Sequence, residues 1–168
     1  MNRSGFPKVA FHDDLLRQAS QLVYLEPENP TQASLRRAVS TAYYALFHFL
    51  ISEAVANWNQ DLLRSYLARA FDHAPMKSAS NRVLDNKKFP FYGENPVVVK
   101  KLRRVAKSLA QLQDQRHIAD YDNTTVWSSV DALARVNSAE QAFLTWREIR
   151  HEPIAQAYLV SFLVKNRS

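Results

Sequence analysis

Leu35-Arg36-Arg37-Ala38-Val39-Ser40-Thr41-Ala42-Tyr43-Tyr44-Ala45-Leu46-Phe47-His48 is the stretch on which the fold class turns. Leu35, Ala38, Val39, Ala42, Tyr43 and Leu46, continued by Phe49 and Leu50, recur at three- and four-residue steps, which places them on one face of an α-helix. The pattern predicts a buried helix of about 25 residues. Its start is marked by Asn29-Pro30-Thr31, with Asn29 read as the cap of the free backbone N–H groups. Pro30 is read as a first-turn residue, where a missing donor costs nothing. Tyr43 and Tyr44 are read as one core residue and one boundary residue.

The same period extends in both directions. Leu15, Ala19, Leu22 and Val23 predict a shorter helix, favoured by Asp13 and Asp14 at its positive N-terminal end, and Pro27 and Pro30 force a turn after it. Leu62, Leu63, Tyr66, Leu67 and Ala70 predict a third helix, followed by an irregular region carrying Pro75, Pro90, Gly93 and Pro96. From Val97 a fourth helix turns Val98, Leu102, Val105, Ala106, Leu109 and Leu112 inward, and Asn95-Pro96 repeats the starting device. That helix should stop between Asp120 and Thr125, where Asp-Asn-Thr-Thr is turn chemistry. Ser128, with Asp131 three residues on, caps the next helix, which buries Ala132, Val136, Ala139, Phe143, Trp146 and Ile149. Pro153 separates it from a last helix holding Ile154, Tyr158, Leu159 and Phe162. No stretch alternates as a strand would. The expectation is all-α: an up-and-down four-helix bundle with additional short helices, one domain over residues 1–168.

Composition narrows the chemistry. A chain of 168 residues buries roughly 70% of its surface on folding and needs no metal or disulfide staple. Two glycines argue against glycine-rich phosphate loops, and the absence of cysteine removes disulfides, thiol nucleophiles and cysteine-held metals. His12-Asp13-Asp14 reads as a helix start and His117 with Asp120 supplies only two ligands, so no metal and no cofactor is expected. No serine stands in a strand-turn-helix context. No run approaches roughly 18 uninterrupted apolar residues, and Met1 to Ala10 has no hydrophobic leader core. The expected location is cytoplasmic, away from the membrane.

Net charge is +6, and its distribution is uneven. Lys77, Arg82, Lys87, Lys88, Lys100, Lys101, Arg103, Arg104 and Lys107 stand against Asp85 and Glu94, whereas the rest of the chain holds 13 cations and 14 acids. All of the positive excess lies in one segment, for which a polyanion is the natural partner.

The small-residue and tyrosine-pair cadence of Leu35 to His48 resembles the long second helix of the HEPN domain, the nucleotide-binding helical bundle of higher eukaryotes and prokaryotes. Leu112-Gln113-Asp114-Gln115-Arg116-His117-Ile118-Ala119-Asp120-Tyr121-Asp122 is similar to the arginine plus Ala-Asp-Tyr-Asp signature of many bacterial members. The resemblance spans roughly residues 11 to 150. It implies a homodimer in which two arginine motifs face one cleft. Many relatives are metal-independent ribonucleases of toxin, phage-defence and CRISPR systems; others are inert and bind nucleotides or a partner nucleotidyltransferase. Active members carry a histidine five to seven positions after the arginine. Here those positions are Tyr121, Asp122 and Asn123, and no other arginine has such a histidine. A catalytic set would therefore be non-standard, because tyrosine, with a pKa near 10, is a poor base at neutral pH.

The candidate catalytic residues are Arg116, His117, Asp120 and His48. Guanidinium clasps a phosphate at two points and imidazole titrates near neutrality. The alternative for Arg116 is a pairing with Asp120 or Asp122 that fixes the helix end, and for His48 a satisfied place between Phe47 and Phe49. A functional His48 has to reach the Arg116 region across the bundle. Binding candidates are Arg116, Tyr121, His73, Lys77, Lys100, Lys101, Arg103 and Arg104. Tyr121 either stacks on a base or packs, and His73, at an expected helix end, either caps or contacts phosphate. The Lys100 to Lys107 cluster reads as a solvated helix face or, with Lys87, Lys88, Phe89, Phe91 and Tyr92, as an RNA-contacting surface.

Overall fold

The computed structural model describes residues 9–86, 89 and 91–164. Among them the chain is all-α, with seven helices: α1 (Phe11–Val23), α2 (Gln32–Val55), α3 (Asp61–Ala68), α4 (His73–Leu84), α5 (Pro96–Tyr121), α6 (Ser129–Ile149) and α7 (Pro153–Ser161). The long helices follow the apolar period. Leu35, Ala38, Val39, Ala42, Tyr43, Leu46, Phe49 and Leu50 are all buried, and they belong to one continuous core with residues of α1, α4, α5, α6 and α7. By length and composition α2 could cross a membrane, yet 67% of its most apolar window is buried inside the protein.

Helix directions follow from contacts between side chains. His12 near the start of α1 packs on Phe49 near the end of α2, so these two run antiparallel. Arg36 reaches Ala119 and Asp122 at the end of α5, while Arg116 lies over Tyr43, which sets α2 and α5 antiparallel as well. Gln32 brackets the backbone of Trp127 just before α6, and Glu53 meets Trp146 near its end, so α2 and α6 run parallel. Lys101 pairs with Glu148 and Ser138 bonds Ser108, which makes α5 and α6 antiparallel.

Local chemistry explains most helix ends. Ser128 Oγ accepts from Asp131 N at 3.0 Å, and Asn95 accepts from Val97 N at 2.9 Å with Pro96 in the first turn. Asp122 closes α5 by accepting from Thr124 N and from both threonine hydroxyls at 124 and 125. Two expectations need correction. The cap of α2 is Thr31, whose side chain accepts from Ser34 N, because Asn29 and Pro30 lie before the helix. The stretch from His73 to Leu84 is helical although it holds Pro75, since that proline is the third helical residue, where an N–H has no intrahelical carbonyl to meet. The expected third helix is present as α3, with Leu62, Leu63 and Tyr66 exposed and no residue of that helix buried. Pro90, Lys87 and Lys88 lie outside the described residues.

Candidate functional site

α2, α4 and α5 converge on Tyr43. Its ring is fully buried in the middle of α2, and its hydroxyl lies 2.6 Å from Nδ1 of His73. His73 is the first residue of α4, held by the Asp72 carboxylate on its backbone N–H, and its ring stacks on Phe47 with centroids 4.3 Å apart. Arg116 of α5 lays its guanidinium against Tyr43 and Tyr44, 5.5 and 5.8 Å from the ring centres. One turn on, Asp120 stands 3.6 Å from the same guanidinium, and Ser40 Oγ donates to the Asp120 carboxylate at 3.3 Å. The spacing is helical on both sides. Ser40, Tyr43, Tyr44 and Phe47 form one stripe of α2, and Arg116 and Asp120 form the matching stripe of α5.

The electrostatics of the cluster keep its histidine neutral. Burial pushes the His73 pKa below its ordinary 6.5, and the Arg116 cation pushes it further the same way. Burial raises the Tyr43 hydroxyl well above its ordinary range against the opposing pull of Arg116, so it stays protonated. A phenol and a neutral imidazole thus share one hydrogen bond at neutral pH. His73 Nε2 has no hydrogen-bond partner among the described residues. Arg116 is only 14% exposed along its side chain, and its Nε is buried with no partner among the described residues. The arrangement offers a cation for a phosphate beside an imidazole able to take a proton, which is the equipment of metal-free phosphodiester chemistry.

The other predicted residues fall in several places. His48 sits one turn beyond Tyr44, ringed by Phe11, Tyr44 and Phe47. It opens toward a groove of about 340 Å³ shared with His12, Ile51 and Ser52. Burial lowers its pKa, with His73 and His12 adding to the effect. His48 is therefore an electrostatic neighbour of His73 without touching Arg116. His117 and Tyr121 are both exposed and form their own ring contact at 4.9 Å; adjacency in sequence turns His117 about 100° around the helix from Arg116. Lys77, on α4, pairs with Asp114 on α5 close to the cluster.

Lys100, Lys101, Arg103 and Arg104 lie at the opposite end of α5, at least 12 residues from Arg116 and so about 18 Å or more along the axis. Lys101 pairs with Glu148, Arg103 covers the Phe91 ring at 4.7 Å, and Lys100 and Arg104 are exposed. Phe89 is buried, whereas Tyr92 stands fully exposed.

Two functional relationships escaped the sequence. The Tyr43–His73 bond joins residues 30 positions apart with no local signal. Arg36, inside the most telling stretch of sequence, donates to the carbonyls of Ala119, Asp122 and Thr125 at 3.0, 2.8 and 2.6 Å, and thereby ties down the end of α5 that carries Arg116 and Asp120. Its position among apolar residues on a core helix was the available clue. Comparison of the chain with family models, with curated proteins and with solved structures gives no significant match.

Proposed function

We propose that this chain is a HEPN-like up-and-down bundle of α1, α2, α5 and α6 that binds RNA or a nucleotide between α2, α4 and α5, and that it cleaves RNA there without a metal. One observation carries the reading. A neutral His73, fixed through Nδ1 by Tyr43 and with Nε2 unpartnered among the described residues, stands beside the nearly enclosed guanidinium of Arg116. The alternating directions of the four helices and the order of the two motifs support the resemblance to the family. In this reading Arg116 holds the scissile phosphate, oriented by Asp120. With Nδ1–H donating to the Tyr43 oxygen, Nε2 of His73 is the bare nitrogen and takes the proton of the 2′-hydroxyl, the 2′-oxygen attacks the adjacent phosphorus, and the 5′-oxygen leaves with the proton that His73 returns. The products are a 2′,3′-cyclic phosphate and a free 5′-hydroxyl. His73 takes the part that the five-to-seven spacing assigns to a later histidine, because folding brings it to the arginine from another helix.

The test is cleavage of a mixed single-stranded RNA pool with chelator present, by the purified protein and by Arg116→Ala and His73→Gln. Cyclic-phosphate ends from the wild type, lost in both variants, are expected. Equal cutting by all three proteins, or none by the wild type at high concentration, overturns the catalytic assignment. A second reading is a non-catalytic dimerisation and binding module acting with a nucleotidyltransferase or another protein. It is favoured by the exposed apolar side chains of Trp58, Leu62 and Tyr66 in and before α3.

A further inference from the structure

Tyr43 and Tyr44 are neighbours in α2, yet the fold uses their hydroxyls differently. One residue turns the chain about 100° around a helix, so only one of the two rings faces the core. Tyr43 is fully buried and its hydroxyl is taken by His73. Tyr44 is half-buried, and its hydroxyl has no hydrogen-bond partner among the described residues. That oxygen keeps its contact with solvent, whereas Arg116 Nε is sealed from it. A phenol able both to donate and to accept therefore stands open and unused by the fold.

The ring that carries this hydroxyl is held on several sides. The Arg116 guanidinium lies 5.8 Å from its centre, the His73 ring meets it edge-on at 5.8 Å, and the His48 ring lies at 6.4 Å and 29°. Tyr43 packs against it at 5.4 Å. So enclosed, the ring is a poor platform for a base, and the hydroxyl is the part left to meet a ligand. Two neighbouring groups are in the same condition. His73 Nε2 is unbonded among the described residues, and the terminal nitrogens of Arg116 make no hydrogen bond there, Nη1 having only the Asp120 contact at 3.6 Å. Those nitrogens also keep their contact with solvent.

We propose that Tyr44 is a substrate-contacting residue, its hydroxyl donating to a non-bridging oxygen of the phosphate that Arg116 holds. The inference rests on the proposed RNA site and adds a donor to it. A guanidinium clasps a phosphate along one edge and leaves further lone pairs on the same oxygens, for which tyrosine hydroxyls are ordinary partners. The phenol oxygen lies only half a ring and one C–O bond beyond the ring centre, so a single phosphate, hydrogen-bonded on both sides, spans the gap from Arg116. Charge on the phosphate oxygens grows as the 2′-oxygen attacks, so the donor serves turnover as well as binding.

The experiment offers two non-cleavable probes, each a dinucleoside with 2′-O-methyl on the attacking ribose, to the wild type, Tyr44→Phe and Arg116→Ala. One probe has the ordinary phosphodiester; in the other, a methylphosphonate, a methyl group replaces one non-bridging oxygen and removes the charge. Tyr44→Phe keeps the ring, and its urea midpoint should equal that of the wild type, because the hydroxyl bonds nothing in the free protein. Its binding of the phosphodiester should weaken roughly tenfold, the scale of one hydrogen bond to a charged acceptor, with little or no loss on the methylphosphonate. Arg116→Ala should weaken the phosphodiester as well. Unchanged affinity in Tyr44→Phe beside a loss in Arg116→Ala overturns the Tyr44 contact and leaves the Arg116 site standing. Equal losses on the two probes, or a lowered urea midpoint, overturn it too, by placing the hydroxyl on the ribose or base in the first case and in the fold in the second. No binding of the phosphodiester by the wild type, or binding indifferent to Arg116→Ala, overturns the underlying RNA site and the Tyr44 contact with it.

Discussion

The hydroxyl of Tyr43 and Nδ1 of His73 meet at 2.6 Å, joining the centre of α2 to the first residue of α4. Tyr43→Phe keeps the buried ring and removes only this hydrogen bond, leaving Nδ1 without it. The expected cost is about 1–2 kcal/mol, read as a lower urea midpoint with an unchanged slope. RNA cleavage should fall further than binding, because the ring of His73 loses the contact that orients it, whereas the Arg116 guanidinium keeps its place. A variant whose turnover matches the wild type would remove Tyr43 from the positioning role.

Acidification should weaken the fold through the histidines. His12, His48 and His73 all have pKa values lowered from 6.5, in each case by burial first. Below 6.5 the unfolded chain binds protons that the folded chain still refuses, so the stability these groups give is full above 6.5 and is lost as pH falls through their folded values. Denaturant unfolding at successive pH values below 7 should show this loss, with a smaller loss in His73→Gln. If His73 is the base, cleavage should also persist to lower pH than a free imidazole would allow. A stability curve flat between pH 7 and 5 would contradict the lowered values.

Arg36→Ala removes three hydrogen bonds from a charged donor to the carbonyls that end α5. A loss of about 2–4 kcal/mol is expected, with Arg36→Lys recovering only part, because an ammonium cannot match the planar fork of a guanidinium. Hydrogen exchange should locate the damage first in the backbone around 119–125. Uniform loss of protection across the chain would argue against a local role.

Lys100 and Arg104 are exposed and lie 12 or more residues from Arg116. Changing both to glutamine should leave stability within about 0.5 kcal/mol and leave cleavage of a short RNA untouched. Binding of a longer RNA should become less salt-dependent if that end of α5 touches its backbone. An unchanged salt slope would mark this cluster as a solvated helix face.

Much of the helix layout was legible because it is local. A period of three and four places Leu35, Ala38 and Ala42 in the core, and Ser128 with Asp131 marks a start, since both signals act within a turn or two of helix. Pro75 misled because a proline mid-sequence reads as a breaker, while its position relative to the first helical residue decides whether an N–H is missed. The exposure of Leu62, Leu63 and Tyr66 on α3 was not legible, because periodicity reports a face and says nothing of whether another helix covers it.

The site divides in the same way. Spacing offered Arg116 either Asp120 or Asp122 as its partner, and the structure sets Asp120 beside it at 3.6 Å. His73 could not be given its partner. Its tie to Tyr43 spans 30 residues and exists only because α4, packed along α5, begins beside the middle of α2. The sequence by itself determined the helical class and most of the inward faces, and narrowed the partner of Arg116 to Asp120 or Asp122, all short-range consequences of helical geometry. Tertiary structure alone decided which histidine stands by the arginine, because side chains far apart in the chain meet only after packing fixes how the helices cross.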